Sequence, residues 1–234
     1  MKGSVRERAA LTAKVEKRAL EAMARRMPRT VTSDHLTVLG VAGAGGVAAG
    51  YALSTFSPHW LWLASAMLVV NWSGDSLDGT LARVRDAQRP RYGYYLDHAV
   101  DAFTTAIIGI GIGLSPYVSL IPASAAVILY LMLSINVYLE SSVYGVFRMD
   151  YGPVGPTEAR ILLIVGNTAL FAATVGGVDP GRIEPTASLA TAVVVLVMAL
   201  LLLVRFARNL RRLGREDPLE RGEAPRTKRR QVVR

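Results

Sequence analysis

The chain has 234 residues, no cysteine, a formal net charge of +9 and an apolar content of 51%. Its length suits one hydrophobic core, and the lack of Cys excludes a disulfide framework, thiolate catalysis and zinc sites built on Cys. Twenty-seven basic residues against 18 acidic ones, at a mean hydropathy of +0.31, imply a polyanionic partner. The charge is segregated from the apolar sequence, which argues against a soluble DNA-binding domain.

In chain order, residues 4–27 have helix-forming composition. Leu11, Val15, Ala19, Ala22 and Met23 make a narrow apolar stripe at helical spacing. Met27-Pro28 ends the segment. Residues 1–33 are therefore expected to form a basic juxtamembrane amphipathic helix on the cytoplasmic leaflet; the alternative is a solvated charged helix. Six stretches follow that are long and apolar enough to cross a bilayer, about 36–56, 57–77, 97–115, 117–145, 160–178 and 187–204. The first contains Gly43-Ala-Gly-Gly-Val-Ala48, which fits a dinucleotide fingerprint. No strand precedes it and it lies inside an apolar run, so helix packing through Gly46-x3-Gly50 is the better reading. Gly109, Gly111 and Gly113 in the third stretch are expected to pack likewise.

The expected fold is an all-α membrane protein with six transmembrane helices and both termini cytoplasmic. Residues 34–208 form the membrane domain, and 209–234 a basic, disordered tail drawn to the membrane. The Lys and Arg residues support this orientation. Nine lie in 1–33, four in 83–91, two in 148–160 and eleven in 205–234, all on one side, whereas Arg182 alone lies opposite. The positive-inside rule makes the crowded side cytoplasmic. His59, Trp60, Trp62 and Tyr117 fall at the outer ends of the second and fourth stretches, where an aromatic belt is expected. Residues 1–33 are charged throughout, unlike a cleavable signal peptide. With six spans, no nucleic-acid partner is expected.

The chemistry lies in two segments flanking the second loop. Asp75, Asp78, Gly79 and Ala82 stand at i, i+3, i+4 and i+7, one face of a helix. Gly93, Asp97 and Asp101 stand at i, i+4 and i+8, again one face. A short cytoplasmic loop, 84–92, returns the chain so that the two faces meet. Four carboxylates beside a membrane need cationic partners. With no Cys and one nearby His, oxygen-bound Mg²⁺ or Mn²⁺ fits better than Zn²⁺, and four carboxylates suit two ions. Two such ions suit in-line displacement at phosphorus. Gly79, Ala82 and Gly93 leave room for a bulky ligand whose phosphates Arg83 can meet. The competing readings are a salt-bridge network with Arg83, Arg85, Arg89 and Arg91, and an acid-lined cation channel. Neither gives the small residues a role.

Asp75-x2-Asp78-Gly79-x2-Ala82-Arg83, then nine residues, then Gly93-x3-Asp97-x3-Asp101 resembles the signature of the CDP-alcohol phosphotransferases, integral membrane enzymes of phospholipid synthesis. All eight signature positions are present. The intervening segment is one residue longer than the spacing most frequent in that family. Asp34-His35-Leu36-Thr37 and Gly155-Pro-Thr-Glu-Ala-Arg160 also resemble family segments, the second without an assigned role. The resemblance spans roughly residues 30–205 and implies a six-span fold and a homodimer. It further implies that Asp75, Asp78 and Asp97 bind the metal ions and that Asp101 is the general base and also touches a metal. Gly79, Ala82, Arg83 and Gly93 are implied to line the CDP pocket.

The function expected on this basis is metal-dependent transfer of a phosphatidyl group from CDP-diacylglycerol to a small polar alcohol, releasing CMP. The Ala-, Arg- and Val-rich composition resembles that of a GC-rich bacterial genome, which places the enzyme in a bacterial inner membrane with its site at the cytoplasmic face. His98 beside Asp97 resembles the aminoalcohol branch, in which CDP-choline or CDP-ethanolamine is the donor and diacylglycerol the acceptor. A transporter or scaffold is the non-enzymatic alternative. Glu140, in the cytoplasmic half of the fourth stretch, suits acceptor binding and interhelical hydrogen bonding equally. His35 and His59 are assigned no chemistry.

Overall fold

The structure is a computed structural model that describes residues 13–144 and 155–217. The described residues form seven helices and no strand: α1 (Ala13–Arg26), α2 (Ser33–Leu53), α3 (Trp60–Val84), α4 (Pro90–Gly113), α5 (Leu120–Tyr144), α6 (Pro156–Val175) and α7 (Pro180–Glu216). One helix answers to each expected span. Four of them, α2, α5, α6 and α7, are long and apolar enough to cross a membrane by length and composition. Helices α3 and α4 fall outside that group; they carry the four aspartates.

Helices α2, α3 and α4 make the centre, and their contact is set by missing side chains. A Cβ on Gly43 would stand 2.6 Å from the Asn71 backbone nitrogen, and one on Gly50 2.6 Å from that of Ala64. Gly74 meets the backbone of Leu36 and Gly40 in the same way, and Gly111 of α4 meets that of Ala48. Small residues at these spacings let backbones touch, which is how helices associate where lipid removes the hydrophobic drive. The pairs Gly50–Ala64, Gly43–Asn71 and Gly40–Asp75 run in opposite senses, so α2 and α3 are antiparallel. The fingerprint-like run thus serves packing: Gly46 faces Met67, while Gly109 faces Val127 and Gly113 faces Leu120. An apolar cluster of Val47, Tyr51, Leu61, Ala64, Leu68, Tyr117, Val118 and Ala123 fills the far end.

The remaining helices are attached to this centre from outside. Helix α6 lies along α3, α5 along α4, and α7 along α5. Helix α6 is held by a polar seam on one face. Thr157 donates to Glu16 (3.0 Å), Arg160 to Asn71 and Asp75, and Asn167 to Ser65 (3.1 Å) while accepting from Tyr51 (2.8 Å). Thr174 donates to Tyr117 at 3.4 Å. Helix α7 buries no residue fully, and Leu189, Val193, Leu196, Leu200 and Leu203 are exposed along it. Such a surface suits lipid as solvent.

Helix α1 turns Glu16, Leu20 and Ala24 to the protein, packed with Leu36, Leu77 and Leu81. Ala19, Ala22 and Met23 of the expected stripe are exposed, and the side chains of Leu11 and Val15 lie outside the described residues. Two expectations are corrected. Tyr117 is not at an interfacial belt: it is 1% exposed in the apolar cluster, because the α4–α5 turn folds inward. Trp60 and Trp62 do remain exposed. The loop between the aspartate segments shortens to 85–89, since Pro90 opens α4 at a position where its missing N–H costs nothing. Asp86 takes a left-handed φ of 51° to make that turn; Asp tolerates this better than most residues. Helix α7 continues to Glu216. The rest of the tail, 218–234, lies outside the described residues, as do 1–12.

Candidate active site

The expected carboxylates gather at one end of the bundle, built from the start of α2, the end of α3, the start of α4 and the start of α6. A cleft there is lined by Asp75, Asp78, Asp97 and Asp101 together with Thr37, Gly40, Asn71, Val100 and Thr104. The carboxylate faces expected from spacing do meet. Oxygens of Asp75, Asp97 and Asp101 lie within 4.8 Å of one another. Asp78 shares the cleft but stands outside that group of three. One of its oxygens accepts from the Thr37 hydroxyl at 2.7 Å, and the other from the Gly79 N–H.

Local sequence explains the placement. Thr32 caps α2 by accepting from the His35 N–H at 3.2 Å, and the His35 ring accepts from the Thr32 N–H at 3.3 Å. This box fixes the first turn of α2 and so delivers Thr37 to Asp78. Asn71, 1% exposed within α3, donates to the Gly40 carbonyl at 2.9 Å. Its carbonyl accepts from Arg160 Nε at 3.0 Å, and Arg160 Nη2 reaches Asp75 Oδ2 at 3.0 Å.

The arginines of the loop mostly serve other ends. Arg85 donates to the carbonyls of Met27 (3.1 Å), Pro28 (2.8 Å) and Val31, tying down the α1–α2 linker. Arg89 binds both oxygens of Asp34 and lies 3.9 Å from the Tyr92 ring centre. Its hydrogen bonds to the Asp34 carboxylate hold its exposed guanidinium above the ordinary arginine range. Arg83 donates to Thr80 at 2.9 Å. Among the described residues, Arg160 is an arginine that does engage a clustered carboxylate, Asp75, and it comes from a segment whose resemblance carried no assigned role.

The other expected site residues are placed as follows. A Cβ on Gly93 would meet nothing within 4 Å, and one on Gly79 would meet only Arg83 Nη1, at 3.3 Å. Gly93 therefore borders open space, while Gly79 faces the Arg83 guanidinium. Ala82 is half-buried one turn beyond Asp78. His98 packs between Tyr94 and Tyr138, with ring centres at 4.1 and 4.6 Å, and its Nδ1 is 3.4 Å from Asp97 Oδ2. Glu140 is committed to α7: its oxygens accept from the Arg205 guanidinium and the Asn209 amide. Interhelical bonding is the role it performs.

Fold and site together define a helical membrane protein with a cluster of carboxylates gathered at one end. The donor set is all oxygen, which suits a hard divalent cation. A model of the CDP-alcohol phosphatidyltransferase family matches residues 31–214, and the chain belongs to that family. It is therefore a transferase of phospholipid synthesis, from a divalent-metal-dependent family that passes a phosphatidyl group from a CDP-alcohol to an acceptor. No curated protein matches the chain.

Proposed function

We propose that this enzyme transfers the phosphatidyl group of CDP-diacylglycerol to the hydroxyl of a small polar alcohol, releasing CMP. The observation that carries the reading is the convergence of Asp75, Asp97 and Asp101 within 4.8 Å, in one cleft with Asp78. Asp75, Asp78 and Asp97 are the ligands for Mg²⁺ or Mn²⁺, two ions in all, with Asp101 within reach of the same site. Bound there, a divalent cation neutralises the pyrophosphate and favours in-line substitution at phosphorus. Gly79, Ala82 and Gly93 admit the cytidine nucleotide because their small side chains leave the space unfilled. Arg83, one turn from Gly79, meets its phosphates.

The protein's own part in the chemistry is proton transfer and orientation. Asp101 takes the proton of the acceptor hydroxyl as general base. The acceptor oxygen forms its bond to the β-phosphorus while the bond from that phosphorus to the bridging oxygen breaks. CMP leaves with the electron pair. Arg83 offsets charge that develops on the leaving phosphate. Thr37 holds Asp78, and Arg160 holds Asp75, so neither carboxylate needs to reorganise.

The same reading gives the membrane arrangement: six spans, both termini and the carboxylate end cytoplasmic, in a bacterial inner membrane, as a homodimer. The chain is then a juxtamembrane helix (1–33), a membrane domain (34–208) and a basic tail (209–234). The lengths of α3 and α4, 25 and 24 residues, support counting them as spans despite their charges. At about 1.5 Å per residue each exceeds roughly 30 Å. His98 has a sufficient account as a packed neighbour of Asp97, and so does not by itself favour an aminoalcohol donor.

The test is CMP release by the purified protein in detergent with Mg²⁺ or Mn²⁺. CDP-diacylglycerol is offered with a panel of polar alcohols, and CDP-choline and CDP-ethanolamine with diacylglycerol. Release with CDP-diacylglycerol supports the proposal. Release only from the CDP-aminoalcohols reverses donor and acceptor. CDP binding without release in any pairing points to an acceptor outside the panel or to a member that has lost its chemistry.

A further inference from the structure

We propose that the C-terminal end of α7 carries a binding site for an anionic phospholipid, with acyl chains laid along Val197, Leu201 and Val204 and the headgroup phosphate held by Arg208, Arg211 and Arg215. Positions 193, 197, 201, 204, 208, 211 and 215 recur at steps of three and four, so they form one stripe of the helix. Val193, Val197, Leu201 and Val204 are exposed along its first part. Arg208, Arg211 and Arg215 are exposed along its second. The change from apolar to cationic takes a single turn. A phospholipid has the same order of parts, and α7 is long and apolar enough to cross a membrane. At about 1.5 Å per residue its 37 residues exceed the roughly 30 Å of bilayer hydrocarbon, so its last turns reach headgroup depth.

The charge balance of this end calls for an anion. Arg208, Arg211, Arg212 and Arg215 line one cleft with Glu216. Like charges three and four residues apart on a helix repel. Among the described residues, only Arg212 of these four meets a carboxylate, that of Glu216 at 2.7 Å. Phosphate matches the guanidinium fork, and an arginine cluster at the end of a membrane helix draws anionic lipid. The helix is also fixed in place to receive it. Glu140 of α5 accepts from Arg205 and Asn209, and the Tyr144 hydroxyl donates to the Asn209 carbonyl at 3.5 Å. The Arg212 guanidinium lies 4.2 Å from the centre of the Tyr144 ring. These contacts seat α7 on α5 and leave Arg208, Arg211 and Arg215 exposed. None of the three lines the carboxylate cleft, so the inference stands apart from the reading of that site.

The experiment titrates the full chain in detergent with phosphatidylglycerol and, separately, with phosphatidylcholine. Bound lipid is counted by native mass spectrometry, and light scattering gives the mass of the protein in its micelle. The wild type is expected to bind phosphatidylglycerol more tightly. A triple variant with Arg208→Gln, Arg211→Gln and Arg215→Gln should lose roughly fivefold or more in phosphatidylglycerol affinity while keeping its affinity for phosphatidylcholine. Arg208→Gln alone should move the affinity in the same direction, and it carries the test if the triple variant does not fold. A second triple variant, with Arg226→Gln, Arg229→Gln and Arg230→Gln, removes the same charge from the tail and should bind as the wild type does. Equal losses in the two triple variants would mean diffuse attraction to net charge and overturn the site. Equal wild-type affinity for the two lipids, or unchanged affinity in the α7 variants, overturns it as well. Displacement of phosphatidylglycerol by millimolar inorganic phosphate would make this a site for a free anion rather than a lipid. A fall in protein mass in the α7 variants with lipid affinity unmoved would assign the face to a second copy of the chain.

Discussion

The centre of the bundle and its periphery are held together by different physics. In α2, α3 and α4 the backbones touch at glycines, with Asn71, Ala64 and Ala48 seated where side chains would otherwise stand. In α5, α6 and α7 few residues are fully buried; Leu163, Leu170 and Ile183 pack on the central apolar cluster, and polar ties add to this, the seam of α6 and the Glu140–Arg205 pair between α5 and α7. The difference shows where a carboxylate cluster can be kept. Asp75 and Asp78 share α3 with Asn71 and Gly74, the residues its backbone contact with α2 depends on. Like charges are forced together there because the helices that carry them cannot move apart. The periphery has apolar surface suited to lipid and can tolerate looser contact.

This contrast predicts a graded response to substitution, measured as thermal unfolding in detergent. Gly74→Val should have the largest effect, since the new side chain would enter the backbone of Leu36 and Gly40. Overpacking without room to relax costs about 3 kcal/mol or more, and little folded protein is expected. Glu140→Ala comes next. Its carboxylate and Arg205 are 14% and 19% exposed, and stranding the guanidinium in an apolar setting costs roughly 3 kcal/mol. Asn167→Leu should cost about 1 kcal/mol, because Tyr51 and Ser65 each lose a partner at a site where interhelical hydrogen bonds are individually modest. Leu196→Ala on exposed α7 should change stability by less than about 0.5 kcal/mol. A Leu196 effect as large as that of Gly74 would mean that α7 is covered by protein and that the division between centre and periphery is misdrawn.

What was legible in the sequence follows the same division. The spacing of Asp75, Asp78, Asp97 and Asp101 is local, and helix periodicity alone put each pair on one face; the structure then brought the faces together. The glycines, too, could be read as packing residues from their apolar setting. Arg160 was not legible in this way, because its partner Asp75 lies 85 residues away and no local pattern links them. Thr37 was noticed only within a resembling segment, and its bond to Asp78 depends on the antiparallel docking of α2 on α3. The buried face of α1 was missed for a chemical reason. Counting apolar residues cannot register Glu16, which is buried because Trp72 and Thr157 satisfy it. Tyr117 was misplaced because an aromatic residue beside a turn looks interfacial until the turn is seen to fold inward.

The central claim is that the gathered carboxylates perform base-assisted transfer at a bound CDP-alcohol, and Asp101→Asn tests it most directly. The amide keeps the shape of the side chain but cannot take the acceptor's proton. With CDP-diacylglycerol and its acceptor at saturation, the variant should bind the CDP-alcohol as the wild type does and release CMP about 10²–10⁴-fold more slowly. CMP release at the wild-type rate from Asp101→Asn would contradict the assignment of the base and the mechanism built on it.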